Sequence, residues 1–332
     1  MTLANNIGVI GYGSWASAIV KLITNHNVKV FWHIPKQDDI EYFLLNKRNP
    51  RYLSQVEFDL AKINFFSDIN FVAQNCQILF FVVPSAFLED YTKNLTVDLS
   101  NKIIVSGIKG IIPATKLLFN DHFNTIYNVP QDSIAIISGP SHSEEIAMTR
   151  LSYLTIASKN LPLAETVANI LEAQYIRTFI NNDVYGVQYA AVLKNIYAIA
   201  AGICEGLGFG DNFIAVLVAN AVAETERFLA TVVSNVKRNI LDSAYLGDLL
   251  VTSYSKFSRN RTLGVMIGKG YSINAAKLEM NMIAEGYYAA KSIYKINEHY
   301  NIFMPILDAV YNILYCNKPA SFEIKLLSHK IR

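Results

Sequence analysis

An apolar run, Ile7 to Ile10, passes directly into Gly11-Tyr12-Gly13-Ser14-Trp15-Ala16 and then into a segment of helical pattern, Ser17 to Thr24. No other feature restricts the fold as strongly. A G-x-G-x-x-A turn between a strand and a helix is the context in which a chain binds the pyrophosphate of a dinucleotide. The glycines permit a tight turn and a close approach of backbone to ligand. The helix start offers N–H groups that have no partner within the helix. A second strand, Val28 to Trp32, follows at the spacing that a parallel βαβ unit requires. An ordinary strand–turn–helix junction is the alternative reading.

More strands follow in the same half. Gln77 to Val83 is continuously apolar, as in a strand covered on both faces. It ends at Pro84-Ser85. Lys102 to Ser106 leads to Gly107-Ile108-Lys109-Gly110, and Ser133 to Ser138 leads to Gly139-Pro140-Ser141. Leu151 to Ser158 and Ile176 to Ile180 extend the sheet. Three strands ending in small residues, with one lysine at the same edge, predict a ligand crevice outside the carboxyl ends. The segment after the second strand is His33-Ile34-Pro35-Lys36, with no acid before Asp38. An acid there would take the ribose 2′-OH of NAD, whereas His33 and Lys36 can face a 2′-phosphate. The expected cofactor is therefore NADP or NAD, tilted toward NADP(H). Both residues also read as solvated loop residues.

From Asp183 onward strand signals fade and the chain reads as helical. The boundary falls near residue 180, which gives a dinucleotide-binding domain over 1–180 and a helical domain over 181–332. The first helix, Val184 to Gly202, is almost wholly apolar apart from Lys194. A buried ammonium is costly unless it is paired or its pKa falls. With a carboxylate partner, such a lysine is a general acid/base near neutral pH. Further helices are expected over Phe213 to Thr231, capped by Asp211 or Asn212, and over Ala275 to Glu298, broken near Gly286. Two polar groupings stand out. Asp248 lies among apolar residues in Leu246 to Leu250, where a cap or turn acid is the plain reading. Ser258-Arg259-Asn260-Arg261 combines hydroxyl, guanidinium and amide donors suited to a phosphate, or forms a surface cluster at a helix start.

The chain is 52% hydrophobic and 17% charged, with a net charge of +2, so neither disorder nor bulk attraction to nucleic acid is expected. Cys76, Cys204 and Cys316 stand far apart, no Cys/His spacing suggests a metal site, and Cys76 and Cys204 read as core filler. The first lysine is Lys21, and no uninterrupted apolar run approaches the ~18–20 residues of a membrane span. A cytoplasmic protein without an integral membrane segment is expected.

Taken in order, these motifs resemble one family. Gly11-x-Gly13-Ser14-Trp15, Val83-Pro84-Ser85, Lys109-Gly110, Ser138-Gly139-Pro140-Ser141, Leu193-Lys194-Asn195-Ile196-Tyr197, Leu246-Gly247-Asp248-Leu249, Ser258-Arg259-Asn260 and Glu285-Gly286 are similar to the bacterial-type NAD(P)-dependent sn-glycerol-3-phosphate dehydrogenases, from Ile7 to about Pro305. The resemblance implies an α/β fold, a Rossmann-type sheet followed by a mainly α-helical substrate domain, and a homodimer. It implies interconversion of sn-glycerol 3-phosphate and dihydroxyacetone phosphate, which supplies glycerol phosphate for phospholipid synthesis. It makes Lys194 the acid/base, with Lys109 and Asp248 as its neighbours around substrate. Gly139, Ser141, Ser258, Arg259 and Asn260 become substrate contacts. Gly11, Gly13, Ser14, Trp15, His33, Lys109, Ser143, Arg259, Ile283 and Glu285 become cofactor contacts. The chain departs from the family at Ala16-Ser17, Ile34, Gly186 to Ala191, Asn220, Asp242 to Tyr245 and Ser141-His142-Ser143, while Glu224 remains. A ketopantoate-type reductase shares the sheet and a helix-borne lysine but has less use for Ser258-Arg259-Asn260. A non-enzymatic dinucleotide sensor has no use for Lys194.

Overall fold

A computed structural model describes residues 6–234, 236–280 and 283–332. Among these residues, β1 (Asn6–Ile10), β2 (Lys29–His33), β3 (Ile63–Phe66), β4 (Ile78–Phe81), β5 (Ile103–Ser106), β6 (Ile134–Ser138), β7 (Ser152–Ala157) and β8 (Ile176–Asn181) form one sheet. Its order is β3-β2-β1-β4-β5-β6-β7-β8, parallel throughout except where β6 meets β7. The strand order reverses between β1 and β4, the point at which such sheets open a crevice at their carboxyl ends. The all-buried β4 and β6 are the continuous apolar runs of the sequence. β3 was not expected. It is an edge strand with only Ile63 buried, so its pattern carries no strong alternation.

The helices of this part are α1 (Ser14–Ile23), α2 (Gln37–Asn46), α3 (Ile69–Asn75), α4 (Leu88–Thr92), α5 (Phe119–Tyr127), α6 (Ser143–Ala147) and α7 (Leu161–Leu171). Helix α1 begins at Ser14, three residues earlier than its apolar pattern suggests, so the second fingerprint glycine sits directly at its N-cap. The C-terminal part holds α8 (Val184–Gly206), α9 (Asp211–Val232), α10 (Asp248–Tyr254), α11 (Arg259–Gly268), α12 (Ile273–Glu279), α13 (Glu285–Tyr300), α14 (Pro305–Tyr315) and α15 (Ala320–Ser328). Gly210, not Asp211 or Asn212, is the N-cap of α9. The helical stretch expected over Ala275 to Glu298 divides into α12 and α13.

The chain forms two compact units. One holds residues up to Ile108 together with Leu117–Val184; the other holds Lys109–Lys116 and Tyr185–Arg332. Lys109 therefore belongs with the helices and not with the sheet edge at which its sequence position follows β5. Helix α8 is long and apolar enough to cross a membrane, which the sequence reading did not anticipate, yet 94% of its most apolar window is buried inside the protein. It is a core helix.

Helices α8 and α11 approach through glycines spaced four apart, so that each pair shares a helix face. A Cβ at Gly202 would lie 2.1 Å from the Arg261 carbonyl oxygen, and one at Gly206 would lie 2.4 Å from that of Val265. The relation is mutual: a Cβ at Gly264 would meet the Ile199 oxygen at 2.2 Å, and one at Gly268 the Ile203 oxygen at 2.4 Å. Backbone touches backbone here, and no side chain can yield. Glu205 and Arg261 add an ion pair to the same contact. Elsewhere in this unit the fully buried Glu224 of α9 accepts from the backbone N–H groups of Ile306 and Leu307, both at 3.0 Å, at the start of α14. It is a carboxylate cap supplied from another helix.

Gly202→Ala is expected to destabilise the helical unit by roughly 1–3 kcal/mol, because α8 and α11 must separate to admit the methyl group. Urea unfolding followed by far-UV circular dichroism measures this; a loss below about 0.5 kcal/mol, within the range of ordinary surface changes, would contradict the close contact.

Candidate active site

In the helical unit, Lys194 lies in the middle of α8 and is 6% exposed. Its Nζ donates to Oδ1 of Asp248, itself 1% exposed. Lys109 donates to the other carboxylate oxygen, Oδ2, at 3.5 Å. Two lysines thus share one buried carboxylate. Burial drives the Lys194 pKa down; Asp248 draws it back up, Lys109 pushes it down again, and it settles at about 7. Lys194 is therefore poised to exchange a proton near neutral pH.

The local chain explains how Asp248 arrives there. A single π-helical turn, Ser243–Gly247, runs directly into α10, and Asp248 is the first residue after it. Such wide turns displace a side chain from the ordinary helical register and recur at functional sites. Thr252, one turn on, donates to the Asp248 backbone carbonyl at 2.6 Å and steadies this start. Tyr245 and Ala244, within the departure from the family pattern, are buried core residues of the π turn.

A chain of amides holds the surrounding elements. The N–H of Gly286 donates to Asn260 Oδ1 at 2.8 Å. That donor fixes the Asn260 amide, so its Nδ2 donates onward to Asn195 Oδ1 at 2.9 Å. Asn195 Nδ2 then donates to the carbonyl of Lys109 at 3.1 Å. Each polarity follows from the previous one, because an amide side chain has one accepting and one donating end. The Lys109 segment, α8, α11 and the start of α13 are joined in this way. Gly286 permits the approach of α13 to α8, since a Cβ there would lie 2.4 Å from the Asn195 carbonyl oxygen. Asn195 and Thr252 escaped the sequence reading: Asn195 follows the more conspicuous Lys194, and nothing in the spacing marks Thr252 as Asp248's support.

Of the expected phosphate donors, Ser258 is 3% exposed and caps α11 by accepting from Arg261 N–H at 3.3 Å. Arg259 is the first residue of α11, where the helix dipole adds to its own positive charge. Asn260 is engaged in the amide chain. Ile283 lies two residues before the start of α13 and Glu285 begins it, in the same unit.

In the sheet unit the glycine loop has the form a pyrophosphate needs. Gly11 has φ +107°, and a Cβ there would lie 2.4 Å from the Val82 carbonyl oxygen after β4. Only glycine fits. Gly13 is the α1 N-cap without a side-chain hydrogen bond, and a Cβ added to it would meet nothing within 4 Å. The start of α1 is thus open to an anion. Trp32 Nε1 donates to the Gly11 carbonyl at 2.7 Å. Asn49, fully buried, donates to the Tyr12 carbonyl and to Ser17 Oγ, both at 2.8 Å. Trp15 packs against Gly107, where a Cβ would lie 2.7 Å from the indole nitrogen. Gly139 has φ +100° at the turn after β6; Ser141 donates to its carbonyl at 2.9 Å. Ser143 starts α6 and donates to Glu144 at 3.0 Å.

His33 needs correction. It is 4% exposed, its Nε2 lies 3.2 Å from the Ser67 carbonyl, and burial lowers its pKa to about 4. It is a neutral residue packed edge-on against Tyr91, not a cation turned toward a phosphate. Lys36 is the exposed N-cap residue of α2. Cys76 and Cys204 are buried, and burial pushes both thiols up to about 12.

Comparison with known proteins agrees with both units. The family description "NAD-dependent glycerol-3-phosphate dehydrogenase N-terminus" matches residues 6–164, and its C-terminal counterpart matches residues 183–325. The glycerol-3-phosphate dehydrogenase [NAD(P)+] of Prosthecochloris aestuarii is 33% identical over 96% of this chain and 96% of that protein. The protein of the same description from Pelodictyon phaeoclathratiforme is 34% identical, again over 96% of each. A solved structure of glycerol-3-phosphate dehydrogenase from Coxiella burnetii is 27% identical, spans 98% of this chain and 99% of that one, and superposes with a TM-score of 0.90. With a buried lysine–carboxylate–lysine group in one unit and an open glycine turn in the other, the chain belongs to the NAD-dependent glycerol-3-phosphate dehydrogenase family.

Proposed function

We propose that this protein interconverts sn-glycerol 3-phosphate and dihydroxyacetone phosphate with NAD(P)(H), and so supplies glycerol phosphate for phospholipid synthesis. The observation that carries this reading is Lys194, buried and sharing Asp248 with Lys109. The family matches support the same substrate pair. A bound nicotinamide would supply or accept the hydride at C2 of the substrate. In the direction of reduction, negative charge develops on the C2 oxygen. The Lys194 ammonium stabilises that charge and then donates its proton. In the direction of oxidation, the neutral Lys194 amine removes the hydroxyl proton. Asp248 orients Lys194 and keeps the ammonium accessible despite its burial; Lys109 keeps the pKa from rising too far.

Arg259 at the start of α11, with Ser258 and Asn260 shaping that turn, holds the phosphate end of the substrate. Gly139 and Ser141 are further substrate contacts that the family resemblance implies. Binding at the phosphate positions C2 for reaction. Gly11, Gly13, Ser14, Trp15, Lys109, Ser143, Arg259, Ile283 and Glu285 are the cofactor contacts that the family resemblance implies. The functional division into a cofactor domain over about residues 1–180 and a substrate domain beyond it belongs to the same proposal. So does a cytoplasmic homodimer, the dimer being what the family resemblance implies.

Lys194→Ala is expected to lower kcat by about a hundredfold or more, with cofactor binding little changed by fluorescence titration. In the wild type, kcat/KM for reduction should fall as pH rises through about 7, and kcat/KM for oxidation should rise through the same value. The sign follows from which form of Lys194 each direction needs. Near-wild-type turnover in the variant, or flat profiles between pH 5.5 and 8.5 (a window of about 1.5 units either side, where one group completes most of its titration), would remove Lys194 from the chemistry.

Arg259→Ala is expected to raise KM for dihydroxyacetone phosphate by the equivalent of roughly 1.5–3 kcal/mol, the worth of a charge-assisted hydrogen bond. Unaltered substrate affinity in steady-state kinetics would place the phosphate elsewhere.

Gly13→Val should abolish NAD(P)H binding with no change in melting temperature. The residue's φ of −67° suits any amino acid and the added atoms meet open space, so the fold tolerates the change while the anion site does not. Unchanged calorimetric binding would show that the loop does not hold the cofactor.

A further inference from the structure

The edge of the glycine loop carries a charged group that the sequence did not single out. Asp39, in the first turn of α2, is 5% exposed. Its Oδ2 accepts from the Tyr12 hydroxyl at 2.9 Å. Arg51 grips the same carboxylate with two nitrogens: Nη2 donates to Oδ1 at 3.1 Å, and Nε to Oδ2 at 3.1 Å. Tyr12 stands between the two fingerprint glycines, so this cluster adjoins the pyrophosphate loop. Asn49 locks it there. Its Nδ2 holds the Tyr12 carbonyl, while its Oδ1 accepts from the N–H groups of Arg51 and Tyr52 at 2.9 and 3.0 Å.

The adenosine ribose of a dinucleotide lies beyond the end of the second strand in this fold, where an acid selects the 2′-OH and an arginine accommodates a 2′-phosphate. Asp39 is the acid that α2 brings to this edge, but both its oxygens are engaged and it is nearly inaccessible. Arg51 is different. Its side chain is 48% exposed, and the carboxylate holds only the Nε–Nη2 edge of its planar fork. The Nη1 side of the fork remains for a second anion. A guanidinium already fixed in orientation loses less freedom on binding a phosphate than a mobile lysine does. His33 is buried and presents no charge.

The geometry points to Arg51, braced by Asp39 and Asn49, as the residue that recognises the 2′-phosphate of NADP(H) and sets the cofactor preference. The assignment rests on the dinucleotide reading of the glycine loop and deepens it. Lys36, exposed at the α2 N-cap, is then an auxiliary positive charge and not the main determinant.

Calorimetry on the full-length protein with adenosine 2′,5′-bisphosphate and with AMP separates the 2′-phosphate from everything else, because the two ligands differ by that group alone. The wild type should bind the bisphosphate about tenfold or more tightly than AMP, as a charge-assisted contact implies. Arg51→Gln should erase most of that difference, while AMP affinity stays within about twofold or improves as Asp39 is released toward the ribose hydroxyl. Arg51→Lys, which retains the ion pair and so protects the fold, should show an intermediate loss confined to the bisphosphate. Lys36→Gln should move the bisphosphate less than Arg51→Gln does. Equal loss of both ligands in Arg51→Gln would make Arg51 only a brace for the loop, and the assignment would fall. It would fall as well if the wild type made no distinction or if Lys36→Gln carried the whole effect. If neither nucleotide nor NAD(P)H binds the wild type, the dinucleotide reading itself fails together with it.

Discussion

The helical unit depends on one electrostatic arrangement: a carboxylate with almost no exposure, Asp248, placed between two lysines. Removing an ammonium and a carboxylate from water costs several kcal/mol each, and their attraction offsets this only when the geometry is held closely. The surroundings supply that geometry by rigid means. The π turn sets Asp248 at the head of α10. The Asn195–Asn260–Gly286 amide chain ties the Lys109 segment to three helices. The glycine pairs of α8 and α11 bring backbone against backbone, so the helix bearing Lys194 cannot slide along the helix bearing Arg259 without a steric clash. These three hold the group in which burial, set against Asp248 and Lys109, brings the Lys194 pKa to about 7.

In the sheet unit the corresponding constraint is an opening, not a burial. The start of α1 is bare at Gly13, while the loop that leads to it is held on both sides. Trp32 holds the Gly11 carbonyl from the neighbouring strand, and Asn49 holds Tyr12 and Ser17 from a distant loop. A preformed, uncapped helix start presents N–H groups without the cost of ordering them on binding. The same loop carries Arg51 to its rim.

The departures from the family pattern fall where local substitutes exist. At one of them, Asn220, the amide joins α9 to Arg332: Nδ2 donates to the Arg332 carbonyl at 2.6 Å, and Oδ1 accepts from its N–H at 3.3 Å. Asp242 precedes the π turn and accepts from Asn239 Nδ2 at 2.6 Å. Glu224, retained, caps α14. Neither Asn220 nor Asp242 touches the lysine–carboxylate–lysine group.

The fold class, the glycine loop and the unusual setting of Lys194 were legible in the amino-acid sequence by itself. Each rests on a local signal: strands of unbroken apolar residues, glycines between a strand and a helix, a charge inside an apolar helix. Edge strand β3 was not, because half-exposed strands lose the pattern that marks them. The family resemblance names Lys109 as a neighbour of Lys194, 85 positions away in the chain, but no local pattern shows how the two meet; the tertiary structure detaches Lys109–Lys116 from the sheet and delivers it to the helices. The same holds for His33 and Arg51. In sequence, a histidine after the second strand is a ready cation and an arginine in a loop is unremarked. Burial decides otherwise, since desolvation removes the charge from the one while a buried aspartate holds the charge of the other in place.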